Sequence, residues 1–191
     1  MSFFSKLFGR SNKVQNNGKP IILPAPPQVT VDREMTQEEA VAAIRMASVP
    51  SAGGRGESFP LSRGYPAMAD EGYFSALDAD IPALARWLKS VEDKLTSSGY
   101  GYRHESGDCD DRADFAQSLR RFFRRPGHTL QIVKCSVKQN KPALGIGSGG
   151  GHQIIAIQGS TTWWPIDPAT GQYCRLADYP NRFNIYKTTP H

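Results

Sequence analysis

The sequence predicts an α+β domain, with helices packed on one face of a small antiparallel sheet, preceded by an extended N-terminal arm. Two observations carry this expectation. Apolar residues recur at three- and four-residue spacing between Ile81 and Phe123, whereas short β-branched and aromatic runs punctuated by glycine and proline take over from Thr129. Helices first and strands second is the segregated order of an α+β chain, not the alternation of an α/β one. A length of 191 residues accommodates one such domain with an extension.

The elements follow in order. The opening stretch sets apolar Phe3, Phe4, Leu7 and Phe8 beside basic Lys6 and Arg10. It reads as an amphipathic turn that docks on a protein, and secondarily on a membrane surface, and it is too short and interrupted for a secretory signal. Residues 11–32 are polar and then proline-rich, with Ile-Leu-Pro-Ala-Pro-Pro at 22–27, which favours extended chain over a core of its own. Residues 1–32 are therefore assigned as an arm or tether for a protein assembly partner. Residues 33–72 form a helix-and-loop connection. Within it, Thr36 and Glu39 make a capping-box pattern ahead of a helix over Ala40–Met46, and residues 49–66 read as loop.

Residues 73–191 are the principal domain. Ile81, Leu84, Leu88, Val91 and Leu95 predict an amphipathic helix, with Asp80 and Pro82 at its start and Gly99 beyond its end. A second helix starts at Cys109, continues through Phe115, Ala116, Leu119, Phe122 and Phe123, and stops at Pro126-Gly127. Strands are expected at Leu130–Val133, Gln153–Ile157, Thr162–Ile166 and Phe183–Tyr186. Of the adjacent tryptophans, one of Trp163 and Trp164 should enter the core and the other border a surface cleft.

A net charge of +5 permits anionic partners without requiring one. Arg120, Arg121, Arg124 and Arg125 sit where a helix C-terminus attracts positive charge, so nucleic-acid binding is not predicted. Three cysteines without C-x-x-C spacing specify neither a disulfide framework nor a zinc ribbon, and Cys135 and Cys174 read as structural. No apolar run reaches the ~20 residues of a membrane span. His104, His128 and His191 lack the spacing of a metal cage. Gly145–Gly151 is followed by a strand and not by the Lys-Ser/Thr of a phosphate loop, so it reads as a mobile loop gating His152.

The chemistry centres on Cys109. A helix N-terminus presents unpaired N–H groups and the positive end of the dipole, which favours a thiolate. A nucleophilic thiol also needs an imidazole and a third group to orient that imidazole. His152 opens one strand and Asp167 ends the next, so a hairpin between them brings both to one end of the sheet. Asp108, Asp110 and Asp111 flank the thiol. They either stabilise the helix N-terminus as a solvated acidic turn or supply hard oxygen ligands to a divalent cation such as calcium or manganese.

Three blocks, Gly107-Asp-Cys109-Asp-Asp-Arg-Ala-Asp-Phe-Ala116, Gly151-His152-Gln-Ile-Ile-Ala-Ile157 and Trp164-Pro-Ile-Asp167-Pro-Ala-Thr-Gly171, resemble in order the Cys, His and Asp blocks of the transglutaminase-like, papain-like cysteine protease superfamily. The acidic setting of the Cys is most similar to papain-like domains related to a mushroom agglutinin's protease module, relatives of which occur in bacteriophage genomes. The resemblance covers about residues 75–187. It implies a papain-like/transglutaminase-like fold, with Cys109 as nucleophile, His152 as general base and acid, and Asp167 orienting the histidine. Members place a Gln shortly before the Cys as an oxyanion donor. The nearest upstream Gln here is Gln37, so Tyr102 and His104, with Tyr100, are the candidate donors beside the Cys109 N–H. The implied activity is that of a cysteine peptidase, amidase or acyl transferase acting on an amide through a thioester. It requires no cofactor, and a peptide or cell-wall peptide is the implied substrate. The alternative is a non-catalytic phage tail, neck or capsid accessory protein that keeps the fold and docks through its arm. Either reading places the chain in a virion or the host cytoplasm.

Overall fold

Side chains of the predicted arm do not stand apart from the domain. Leu23, Val29 and Val31 pack against the helical core. Trp87 Nε1 donates to Pro24 O at 3.0 Å, and the Thr30 N–H donates to Asp80 Oδ2 at 2.7 Å. The computed structural model describes residues 20–50, 56–59, 61, 72–100, 109–139, 151–178 and 183–190, so the Phe-rich start and the rest of residues 1–19 lie outside the described residues.

The described chain is mixed α+β. Strand β1 (Val31–Thr36) leads into helix α1 (Gln37–Met46), whose N-terminus carries the predicted capping box: the Thr36 hydroxyl accepts from the Glu39 N–H while the Glu39 carboxylate accepts from the Thr36 N–H. A short antiparallel hairpin, β2 (Ser48–Pro50) and β3 (Gly56–Ser58), occupies part of the region expected as loop. Strand β4 (Gly72–Ala76) precedes helix α2 (Ile81–Leu95), which has Pro82 in its first turn and is followed by Gly99 at φ 89°. Helix α3 (Cys109–Ser118) continues as a 3-10 turn to Phe123 before Pro126-Gly127, with Gly127 at φ 75°. Then come β5 (His128–Leu130), β6 (Ile132–Gln139), β7 (Gly151–Gln158), β8 (Trp163–Ile166) and β9 (Phe183–Pro190).

Strands β8, β7, β6 and β9 form an antiparallel sheet in that order. Strands β1, β4 and β5 form a second sheet, in which β1 pairs antiparallel and β5 parallel to β4. The run Leu130–Val133, expected as one strand, is divided at Gln131, which joins the two sheets. Its N–H donates to Phe74 O at 3.0 Å, its carbonyl accepts from Gln158 N at 3.1 Å, and its buried side chain donates to Ala40 O at 2.9 Å. Strands β1 and β4 were not expected. β1 is an edge strand whose Asp32, Arg33 and Glu34 are exposed, and β4 is five small or aromatic residues buried between two neighbours, so neither shows an alternating pattern.

Both faces of the four-stranded sheet are covered. Ile132, Ile155, Ile157 and Ile166 join α2 and α3 in one core with Phe74, Leu84, Leu88 and Leu119. Val133, Cys135, Val137, Ile154 and Ala156 face the other way, onto Ile44, Phe59, Trp163, Leu176 and Ile185. Trp163 is buried in this second core, as expected of one of the two tryptophans, whereas Trp164 is half-buried and packs against the first core. Cys135 and Cys174 are buried and unbridged, and burial pushes the Cys135 thiol far above its ordinary range. No helix among the described residues is long and apolar enough to cross a membrane.

Candidate active site

Helix α3 is held close to the sheet by small residues and fixed by polar contacts. Ala113 and Ala116 are buried on its inner face, where larger side chains would push the helix away. Gln117, fully buried, donates through Nε2 to Ile132 O at 3.3 Å and Thr189 O at 3.0 Å, bridging the helix to β6 and β9. Arg112 pairs with Glu92 of α2 at 2.7 Å, and Asp114 pairs with Lys134 of β6. Burial pushes the Glu92 carboxyl above its ordinary range, with Arg112 pulling the other way. Cys109, the first residue of this fixed helix, is half-buried and its thiol is free.

His152 is the second residue of β7, opposite Val137 of β6. Because Ile155 pairs with Ile166, the chain leaving β8 runs back beside the start of β7 and carries Asp167 toward the histidine. Asp167 Oδ2 lies 3.7 Å from His152 Nε2, beyond hydrogen-bond length and within ion-pair range. Asp167 is 1% exposed and His152 15%, and His152 Nε2 is buried with no hydrogen-bond partner among the described residues. Burial disfavours the charged imidazole, but interactions with Asp167 and then with Cys109 outweigh it, raising the His152 pKa from 6.5 to about 9. The thiol and the carboxylate thus both act on one half-buried ring.

A tight turn holds Asp167. Its Oδ1 accepts from the Ala169 N–H at 2.9 Å, and its Oδ2 accepts from the Thr170 hydroxyl at 3.2 Å. The backbone closes around it, with Gly171 N–H donating to Asp167 O at 2.8 Å and Asp167 N–H to Gln172 O at 3.0 Å. Gly171 has φ 69°, and a Cβ there would lie 2.8 Å from Lys89 Cβ, so only glycine lets the turn rest on α2.

The structure therefore brings Cys109, His152 and Asp167 into one interacting set. Tyr102, His104, Asp108 and the predicted gating loop up to Gly150 lie outside the described residues. Asp110 and Asp111 occupy the first turn of α3, and no group of three or more His, Cys, Asp or Glu side chains suited to a metal is present among the described residues. The supports Thr170, Gln117 and Arg112–Glu92 were not anticipated from the sequence. The pattern Asp167-x-x-Thr170-Gly171 carried a readable signal for the first, because Asp and Thr side chains before a glycine close turns on their own backbone. Comparison of the chain with protein-family models, characterised proteins and solved structures gives no match in any of the three.

Proposed function

We propose that this chain is a cysteine peptidase or amidase of papain-like, transglutaminase-like type, with Cys109 as nucleophile, His152 as proton carrier and Asp167 as the anion that supports the charged imidazole. One observation carries the proposal: a free thiol at a helix N-terminus and a buried carboxylate act together on the half-buried His152 ring and raise its pKa to about 9. A histidine so raised is positively charged at neutral pH and is the cationic proton carrier that a thiol nucleophile needs beside it.

In this reading Nε2 faces Asp167, so Nδ1 serves the sulfur. The Cys109 thiolate attacks an amide carbonyl carbon, and the resulting oxyanion takes a hydrogen bond from the Cys109 N–H and a second donor. The His152 imidazolium protonates the departing amine nitrogen as the C–N bond breaks, leaving a thioester and a neutral imidazole. Water, deprotonated by that imidazole, attacks the thioester and releases a carboxylic acid, restoring the thiolate and imidazolium. An amine in place of water would give acyl transfer by the same steps.

The test is the rate of Cys109 alkylation by iodoacetamide across pH 5–9 in the wild type, Cys109→Ala and His152→Ala. Buried Cys135 and Cys174 are controlled by the Cys109→Ala background. The expected result is fast labelling of the wild type at pH 6, lost in Cys109→Ala and slowed about a hundredfold in His152→Ala. Equal labelling of wild type and His152→Ala would overturn the proposal.

A further inference from the structure

The carboxylate oxygen that faces His152 is not the histidine's alone. Asp167 Oδ2 accepts from the Thr170 hydroxyl at 3.2 Å while His152 Nε2 waits at 3.7 Å. The other oxygen is committed to the Ala169 N–H at 2.9 Å. Asp167 is 1% exposed, so its charge is met by these neighbours and little by solvent. The turn cannot drift to change the balance, because Gly171 seats it against Ala85 and Lys89 of α2.

We propose that Thr170 is a positioning residue that sets the strength of the Asp167–His152 pair, by sharing Oδ2 and holding it just beyond hydrogen-bond reach of the ring. The inference rests on the cysteine-site reading above. A donor bonded to a carboxylate oxygen withdraws part of its charge and occupies one of its lone pairs. Without the hydroxyl, a buried carboxylate oxygen would lack a donor, which is unfavourable away from water. The His152 Nε2–H, 3.7 Å from that oxygen, can relieve this. The pair would then close, and the imidazolium would be held more tightly.

The consequence for a thiol site is specific. An imidazolium bound too strongly keeps its proton when the leaving amine needs it, so acid catalysis suffers as the histidine becomes more basic. Thr170 tempers the acid. Other charged groups lie on the elements packed around the site. On α3, Cys109 acts on the imidazole directly and Asp110 and Asp111 share its first turn. On β6, Lys134 is paired with Asp114, and behind the turn Lys89 is paired with Asp93.

The experiment follows the His152 ring by NMR titration in the full chain, comparing the wild type with Thr170→Val, Thr170→Ser and Asp167→Asn. Thr170→Val preserves shape and removes the hydroxyl, and Thr170→Ser preserves the hydroxyl and removes the methyl. The expected result is a His152 midpoint moved to higher pH by about half a pH unit in Thr170→Val, unchanged in Thr170→Ser and lowered by a unit or more in Asp167→Asn. A Thr170→Val midpoint that stays or falls, with Asp167→Asn still lowered, overturns the role of Thr170 alone. An Asp167→Asn midpoint equal to the wild type overturns the supporting role of Asp167, and the inference falls with it. Loss of the folded spectrum in Thr170→Val moves the decision to Thr170→Ala, for which the same upward shift is expected and its absence is equally decisive.

Discussion

The hairpin of β7 and β8 carries a polar cluster at each end, and the two are built by opposite rules. At the turn end, Asp78 accepts from Trp164 Nε1 at 2.8 Å and from the Thr161 hydroxyl. The Asp78 N–H donates to Ser160 Oγ at 3.2 Å, and Ser160 in turn donates to Ala76 O at 3.4 Å. Space there is used up: a Cβ on Gly159 would lie 2.1 Å from Asp78 Oδ1 and 2.6 Å from Trp164 Nε1. At the open end, His152 Nε2 is buried without a hydrogen bond among the described residues, and its carboxylate stands 3.7 Å away. A buried polar atom left unsatisfied costs on the order of 1–3 kcal/mol. The turn end uses its polar groups to hold two sheets together, whereas at the open end the Asp167 carboxylate is bonded within its own turn and His152 Nε2 stands beyond hydrogen-bond reach of it. That contrast is expected where selection acts on chemistry at one end and on stability at the other.

Exchanging the roles of the two ends is the strongest way to break this comparison. Replacing His152 with Ala should slow alkylation of Cys109 about a hundredfold at pH 6, while the denaturant midpoint measured above pH 9, where the ring's charge no longer contributes, stays at or above that of the wild type. A large loss of stability would instead make His152 a structural residue. Gly159→Ala should do the reverse. The added methyl must displace either a carboxylate or an indole already bonded to each other, at about 2–3 kcal/mol of unfolding free energy, with Cys109 reactivity per folded molecule unchanged. Thermal unfolding followed beside the alkylation rate separates the two outcomes.

The difference between the ends also explains what could be read in advance. The open end was legible as a candidate site because a thiol site calls for rare residue types in set places, and the sequence has a Cys at a helix start, a His opening a strand and an Asp closing the next. The amphipathic spacing of α2 and the Thr36–Glu39 capping box were legible because local physics sets them. The turn end was not, since Asp78, Gly159 and Thr161 are common loop residues whose meaning arises only when residues 80 or more positions apart meet. Strand β1 escaped for a related reason. Its charged residues face solvent, and only Met35 among them is buried, so tertiary pairing with β4 decides its state and periodicity does not. The division at Gln131 was equally hidden, because a glutamine inside an apolar run gives no sign that its backbone serves two sheets.

The two ends should also fail at opposite limits of pH, and the open end gives the larger effect. His152 has a folded pKa of about 9 against 6.5 for the free side chain. A group more basic in the folded state stabilises it fully below 6.5, and this contribution disappears as the pH rises through 9. Urea midpoints should therefore fall between pH 6.5 and 9.5 in the wild type and stay level in His152→Gln. A level wild-type curve would show that the ring is not held in its charged form.

Asp78 runs the other way, with a smaller amplitude because it sits closer to solvent. Burial pushes its carboxyl up, but bonds from Thr161 and Trp164 outweigh burial and hold it below the usual 3.8. A carboxyl that is more acidic in the folded state contributes stability above 3.8, and that contribution is lost as the pH falls through its lowered value. Asn at this position keeps an acceptor for the indole and removes the titration. The wild-type urea midpoint should drop further than that of Asp78→Asn as the pH falls below 3.8, and the two curves should run parallel well above it. Parallel curves throughout would mean that the turn end holds by shape and neutral hydrogen bonds alone. The charged histidine at the open end would then be the hairpin's one ionic commitment.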